Sequence, residues 1–294
     1  MPDRPAVPLD RDALDPLTYL IANYNQAAFL RDCLTSLLAQ TEPQWLALVH
    51  DDASTDGSID VIRTFADPRI TVLESARTLG YIAALERMIA AASTDIVAIL
   101  DADDALAPDA TARLLSAYRA DPHAEFVYSR FARYDITLSR CLAVHGSPVP
   151  PGGAALCKGV VGAIRSFRVG AYRRTAGLDP TMLYAEDRDL VYKLEEVTRP
   201  IFLDAVLYRH RDVPDSQSRA PDKREIGRRN TLRARRAALR RRRLRGARRL
   251  FCELLVLSDY LADSERRPAG LRRLASWTHR VAAAAEARFA GSAA

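Results

Sequence analysis

Along the N-terminal part of the chain, apolar residues arrive in two rhythms. Leu17 to Ala22, Trp45 to His50, Ile70 to Leu73 and Ile96 to Leu100 are short, nearly unbroken runs of strand length. Between them Phe29, Leu30, Cys33, Leu34, Leu37 and Leu38 recur every three or four positions, the spacing of one helix face, and further helices are predicted over 58–66 and 80–92. Strands that read as continuous apolar runs, alternating with helices, predict an α/β protein with a mostly parallel sheet covered on both faces. In such sheets ligands bind beyond the carboxyl ends of the strands, where strand order reverses. Three of these strands end in polar clusters, Asn23-Tyr24-Asn25, Asp51-Asp52 and Asp101-Ala102-Asp103-Asp104, which are expected to meet at one crevice.

The last cluster is the most telling. An apolar run that breaks into three carboxylates within four positions cannot continue as core, because burying unpaired carboxylates costs several kcal/mol each. The charges belong at the strand's exposed end, and residues two apart on an extended strand share a side. Asp101 and Asp103 can therefore face one point, a site suited to a hard divalent cation such as Mn²⁺ or Mg²⁺. The competing reading is that these acids only close the strand and open the helix at Pro108-Asp109. Further on, Tyr184 to Leu194 reads as a loop entering an amphipathic helix with Glu186 and Asp187 at its start. Ile201 to Tyr208 is another apolar strand, running into Arg209-His210-Arg211 and Ser216-Gln217-Ser218. Residues 136–164 show no clear period and are read as a variable loop on the acceptor side.

Composition narrows the class. With 294 residues, 48% of them hydrophobic, the chain can bury a substantial core. Cys33, Cys141, Cys157 and Cys252 have no CxxC spacing, which argues against a zinc site or a disulfide framework and fits a reducing compartment. Met1 to Asp15 lacks the apolar stretch of a signal peptide, and no window offers the roughly 20 apolar residues of a membrane span. The net charge of +6 conceals an asymmetry: residues 219–249 hold 14 Arg and one Lys against Asp222 and Glu225. That break predicts an N-terminal extension at 1–16, an acidic domain over 17–218 and a basic helical region over 219–294.

Four motifs in order, Ile21-Ala22-Asn23-Tyr24-Asn25, Asp51-Asp52-Ala53-Ser54-Thr55-Asp56-Gly57-Ser58, Leu100-Asp101-Ala102-Asp103-Asp104 and Ala185-Glu186-Asp187-Arg188-Asp189-Leu190, give residues 17 to about 218 a strong resemblance to the family 2 glycosyltransferases of the GT-A fold. The resemblance implies a Rossmann-like sheet flanked by helices and an inverting, metal-assisted transfer from a nucleotide-diphosphate sugar, UDP-linked, to a hydroxyl of a glycan or lipid-linked acceptor. It implies nucleoside contacts from Asp51 or Asp52, with Asn23, Tyr24 and Asn25 lining the base pocket, although Asn25 is equally placed to cap the helix from Gln26. Thr55 and Asp56 are read as helix caps. Where the family has glycine this chain has Ala53, which predicts a turn of negative φ. Asp103 is implied as direct metal ligand, Asp101 on the ribose or a metal-bound water, and Asp104 as support. Asp187 is implied as general base, with Glu186 as the second candidate, its carboxylate favoured by the helix dipole. Arg209, His210 and Arg211 are expected over the diphosphate, His210 as a metal ligand or hydrogen-bond donor.

The basic region places arginine on almost every helix face, and two further helices are predicted over 250–261 and 270–289. Three readings are open for it: a solvated extension used in self-association, attraction to anionic lipid, and nucleic-acid binding, the weakest because interleaved aromatics and a reading motif are missing. The chain is thus expected to be cytoplasmic, with a peripheral place at the inner face of the membrane. A non-catalytic scaffold acting through the basic tail is the alternative function.

Overall fold

The computed structural model describes residues 16–149, 161–213, 221–243, 252–254 and 256. Expectations for the first 15 residues, Cys157, Ser216-Gln217-Ser218, the helix over 270–289 and most of that over 250–261 lie outside these described residues; residues 252–254 and 256 are helical. The four strands read from the sequence, β1 (Leu17–Asn23), β2 (Trp45–Asp51), β3 (Ile70–Glu74) and β4 (Ile96–Ile99), lie parallel in the spatial order β3-β2-β1-β4. Strand order therefore reverses at β1, and the crevice is expected beyond its carboxyl end. Between the strands run α1 (Ala27–Leu38), α2 (Ser58–Arg63) and α3 (Tyr81–Ala91).

Beyond β4 the sheet turns mixed. β5 (Ala105–Leu106) leads to α4 (Ala110–Ala120), and β6 (Phe126–Tyr134), β7 (Cys141–His145) and β8 (Arg165–Arg168) follow. β8 is inserted between β4 and β6, antiparallel to both, while β9 (Ile201–Arg211) lies parallel to β6 and antiparallel to β5. The region expected to be loop thus contributes β7 and leads into β8. The strand at β9 runs three residues past the expected Tyr208, because Arg209, His210 and Arg211 pair with Ala132, Arg133 and Tyr134. The basic triplet is part of the sheet.

Alternation along β1 feeds two cores. Leu20 packs on one face with Leu85, Met88, Val97, Phe126 and Phe167, and Tyr19 and Ile21 on the other with Leu34, Trp45, Ala98 and Tyr118. The first face is closed by α5 (Val169–Arg173), α6 (Glu186–Val197) and α7 (Pro221–Arg241). α7 joins this core through fully buried Ala234 and Ala238 and nearly buried Leu239. Its inner arginines are spent on α6: Arg241 pairs with Glu196 at 2.7 Å, Arg242 with Glu195 at 2.8 Å, and Arg235 donates to the Tyr192 hydroxyl at 3.3 Å. The solvated extension expected here is in fact a docked helix, since small residues let its backbone approach: a Cβ on Gly227 would lie 2.9 Å from the Tyr184 carbonyl oxygen.

Candidate active site

The carboxyl ends of β1 and β2 are laced together. Asn23 and Asp51 are register partners, and Asn23 Nδ2 donates to Asp51 Oδ1 at 2.7 Å and to Ser54 Oγ at 3.1 Å. The Ser54 N–H closes on Asp51 Oδ2 at 3.1 Å, and the Thr55 N–H donates to Asn25 Oδ1 at 2.8 Å. Asn25 thus ties two loops and does not cap α1. Asp56 serves that helix instead, accepting from the Ala27 N–H at 2.8 Å while also binding the N–H and hydroxyl of Ser58. Burial would raise its pKa, yet these bonds outweigh burial and hold Asp56 below the usual carboxylate range. Ala53 sits at φ 60°, which corrects the expected negative φ. The bonds converging on Ser54 enforce a turn whose Cβ penalty is about 1–2 kcal/mol.

Asp52, 4% exposed, has a separate duty. Its two oxygens accept the backbone N–H groups of Leu79 at 2.7 Å and Gly80 at 2.8 Å, which fixes the start of α3. Asp51 belongs to the β1–β2 loop knot. The Tyr24 ring stands beside them, exposed.

After β4 each acid of the cluster has its own surroundings. Asp101 accepts from the hydroxyls of Tyr81 at 3.0 Å and Tyr208 at 3.3 Å. Asp104 is buried and bound to β9: Oδ1 accepts the Arg211 N–H at 2.7 Å and Oδ2 lies 3.1 Å from His210 Nδ1. Asp103 receives no such bond from another residue among the described residues. Burial, then the neighbouring charges of Asp104 and Asp101, push its carboxyl up to about 7. Burial also raises Asp101, against the opposing pull of Arg165.

The basic triplet of β9 divides by strand alternation. His210 turns toward the acids; burial opposes its protonation, but Asp104 and then Asp101 and Asp103 outweigh burial and raise its pKa. Arg211, expected over a diphosphate, is instead buried and committed. Its guanidinium donates to the carbonyls of Asp103 at 2.7 Å and Ile136 at 2.5 Å, and to Asp32 at 2.8 Å. Arg209 likewise departs from expectation, its guanidinium over the Tyr134 ring, because it shares the strand face of Arg211.

Glu186 and Asp187 open α6. Glu186 is largely enclosed, one of its oxygens buried without a partner among the described residues, and burial followed by the charge of Asp187 raises it to about 7. Asp187 is open to solvent on one side and meets Arg165 Nη1 at 3.2 Å on the other. Arg165 also lies 4.0 Å from Asp101 Oδ2. Burial alone would lower its pKa, but Asp187, Tyr81 and Asp101 raise it, so the guanidinium stays charged. Asp101, Phe131, Arg165, Asp187, Arg188 and His210 line one hollow of about 300 Å³. Asn23, Tyr24, Asn25, Asp51, Asp52 and Asp103 lie outside that lining.

Arg165, Tyr81 and Tyr208 are the residues that sequence reasoning missed. A lone arginine inside the short apolar run Ala163-Ile164-Arg165-Ser166-Phe167 is the signal that marks the first, since an unpaired charge does not belong in a core strand. The donor set fits a hard cation in kind: carboxylates crowded enough to raise one another, next to an imidazole. Among the described residues no three such side chains stand at ligand spacing, so oxygens of a bound molecule would have to complete the shell.

A family model described as Glycosyl transferase family 2 matches residues 18–176. Among curated relatives, the succinoglycan biosynthesis protein ExoO of Rhizobium meliloti is 32% identical over 110 residues, 37% of this chain and 31% of ExoO. The hyaluronan synthase of Pasteurella multocida is 26% identical over 192 residues, 64% of this chain and 19% of the synthase. The chain thus spans a third or less of the length of these relatives. Among solved structures, residues 1–349 of S. aureus TarS in complex with UDP superpose with a TM-score of 0.64 at 16% identity, covering 85% of this chain and 72% of that one. The mannosyltransferase PcManGT of Pyrobaculum calidifontis, in complex with GDP-Man and Mn²⁺, gives 0.61 at 20% identity, covering 95% and 76%. At such identities the likeness establishes the fold, GT-A.

Proposed function

The chain belongs to glycosyl transferase family 2, and from that membership we propose that it is an inverting hexosyltransferase, moving a sugar from a uridine-diphosphate donor to a hydroxyl of a glycan or lipid-linked acceptor. The observation that carries this reading is the shared hollow: Asp101 from β4, Asp187 from α6 and His210 from β9 line it together, with Arg165 between the two carboxylates. Transfer with inversion is a single displacement, so one base must take the acceptor proton on the side of the sugar away from the diphosphate. Asp187 is that base. It has an open side for an acceptor hydroxyl, and its other side meets Arg165 Nη1 at 3.2 Å. Glu186, enclosed and raised, is the weaker candidate.

At the other end of the site, Asn23 Oδ1 is buried and unpartnered among the described residues, an acceptor ready for a base N–H, and Tyr24 offers a ring for stacking. Asp51 holds Asn23 in place, and Asp52 holds the start of α3 on which Tyr81 stands. Asp103, Asp101 and His210 are the candidate ligands for Mn²⁺ or Mg²⁺, no more than two of them at once as they stand and with oxygens of the bound diphosphate completing the shell, and the ion's contribution would be to neutralise that diphosphate. His210 also presents a hydrogen-bond donor to that group.

The scaffold alternative predicts that no donor is turned over. The test is a panel of nucleotide sugars with Mn²⁺, scored for donor hydrolysis and transfer. UDP and GDP-Man sugars both belong in it, because the two structural neighbours were captured with different nucleotides. Turnover of a UDP sugar is the expected result; a folded protein silent across the panel would overturn the assignment.

A further inference from the structure

The outer side of α7 is a single ridge. Ile226, Arg229, Arg233, Arg236 and Arg240 are all exposed and follow one another at spacings of three and four, which puts them along one face, and Arg243, exposed in the turn just past the helix, stands beyond its end. The opposite face, Gly227, Ala234, Arg235, Ala238 and Leu239, is buried. Arginine stands on more than one face, and the faces differ in use: Arg235, Arg241 and Arg242 are engaged by Tyr192, Glu196 and Glu195, and the outer ones form the ridge. The guanidinium groups of Arg236, Arg240 and Arg243 have no ion pair or hydrogen-bond partner among the described residues. Arg229 is shared with Glu225, and Arg233 reaches Thr181 and Asp179.

At its N-terminal end the ridge reaches apolar side chains beside the loop that leads into Asp187. Ile226 is 43% exposed and Leu183 53% exposed. They are neighbours, because Asn230, one turn from Ile226, donates to the Leu183 carbonyl at 2.8 Å, and Leu183 lies four residues before Asp187. A row of exposed arginines, two of them only partly neutralised by Glu225 and Asp179 and three with guanidinium groups that meet no acid among the described residues, flanked by two exposed aliphatic side chains, is complementary to a surface with anionic headgroups above hydrocarbon.

We infer that α7 docks the protein onto an anionic phospholipid bilayer through Arg229, Arg233, Arg236, Arg240 and Arg243, with Leu183 and Ile226 entering the headgroup layer beside the loop that leads into Asp187. This reading does not depend on the transferase assignment, since its readout is binding. The full chain is floated with vesicles of phosphatidylcholine alone and of phosphatidylcholine with phosphatidylglycerol. Binding to the anionic vesicles only, weakened by salt, is the expected result. Substituting Arg236, Arg240 and Arg243 together by Gln lowers the partition coefficient on the order of a hundredfold, whereas the triple Lys variant binds as the parent does. Leu183→Ser with Ile226→Ser removes the fraction that stays bound in high salt. Equal binding to neutral vesicles, no binding to anionic ones, or an unchanged Gln variant overturns the inference. Retention by duplex DNA in the absence of vesicle binding assigns the ridge to nucleic acid and overturns it as well.

Discussion

Glu186 and Asp187 are adjacent in sequence and have opposite surroundings. Asp187 is half exposed and paired with a buried guanidinium, while Glu186 is enclosed and raised to about 7. Replacing Asp187 by Asn keeps shape and hydrogen bonding but removes the base. The expected outcome is a nucleotide-induced melting shift like the parent's, with transfer lowered about 10²–10⁴-fold; turnover near the parent rate moves the role to Glu186. For Glu186 the prediction concerns stability. Its folded pKa lies above the unfolded value near 4.5, so the native state holds the proton more tightly. That contribution is fully present below the unfolded pKa and is lost as pH rises through about 7. Melting curves from pH 5 to 8 should therefore show the parent losing stability relative to Glu186→Gln across that window, and parallel curves would contradict the burial argument. The acids were legible in the sequence because charge at the end of an apolar run has few uses. Arg165 was not, because an arginine in a chain of many reads as surface until its neighbours enclose it.

Single elements owe their shape to bonds that a local pattern does not record. The turn after β2 holds an alanine at φ 60° because Asn23, Asn25 and Asp51 all act on Ser54 and Thr55. Ala53→Gly relieves the Cβ penalty at the cost of a more flexible unfolded chain, so its expected effect is neutral to about 1 kcal/mol stabilising; chemical denaturation checks this, and a clear loss of stability would mean that the turn is not strained. β1, β2 and β4 were readable because their two faces are largely covered and their runs are mostly apolar, and β3, at the edge of the sheet and only half buried, was readable from its short Ile70–Leu73 run. β6 and β8 carry Ser129, Arg130, Arg133, Arg165 and Ser166, whose burial or pairing depends on strands distant in sequence, and they gave no period. β9 outran its apolar run because β6 and β5 extend the ladder under the basic triplet.

At the scale of the molecule, the parallel half of the sheet brings Asn23, Asp51 and Asp52 and the acidic cluster to the carboxyl ends of its strands, and the mixed half returns Arg165 and His210 to the acidic cluster. Asp103 carries the prediction that joins them. UDP with Mn²⁺ should raise the melting temperature of the parent, and Asp103→Ala should abolish the shift; a shift that survives the substitution removes Asp103 from the metal set. The asymmetry of charge was visible in composition, but its use was not. Glutamates on α6 absorb part of the basic segment and leave the rest facing outward. Among the described residues no helix is long and apolar enough to cross a membrane.

The clasp between Asp104 and the far end of β9 has a consequence for the order in which the molecule is made. Asp104 is held by the His210 ring and the Arg211 amide, and the Arg211 side chain grips the carbonyl of Asp103. A nascent polypeptide that has left the ribosome only as far as residue 200 already contains all four motifs and can hold Asp101 through Tyr81, yet the partners of Asp104 are still to come. The acidic turn is completed by β9, the last strand among the described residues, so a translation product cut short before it would lack this clasp.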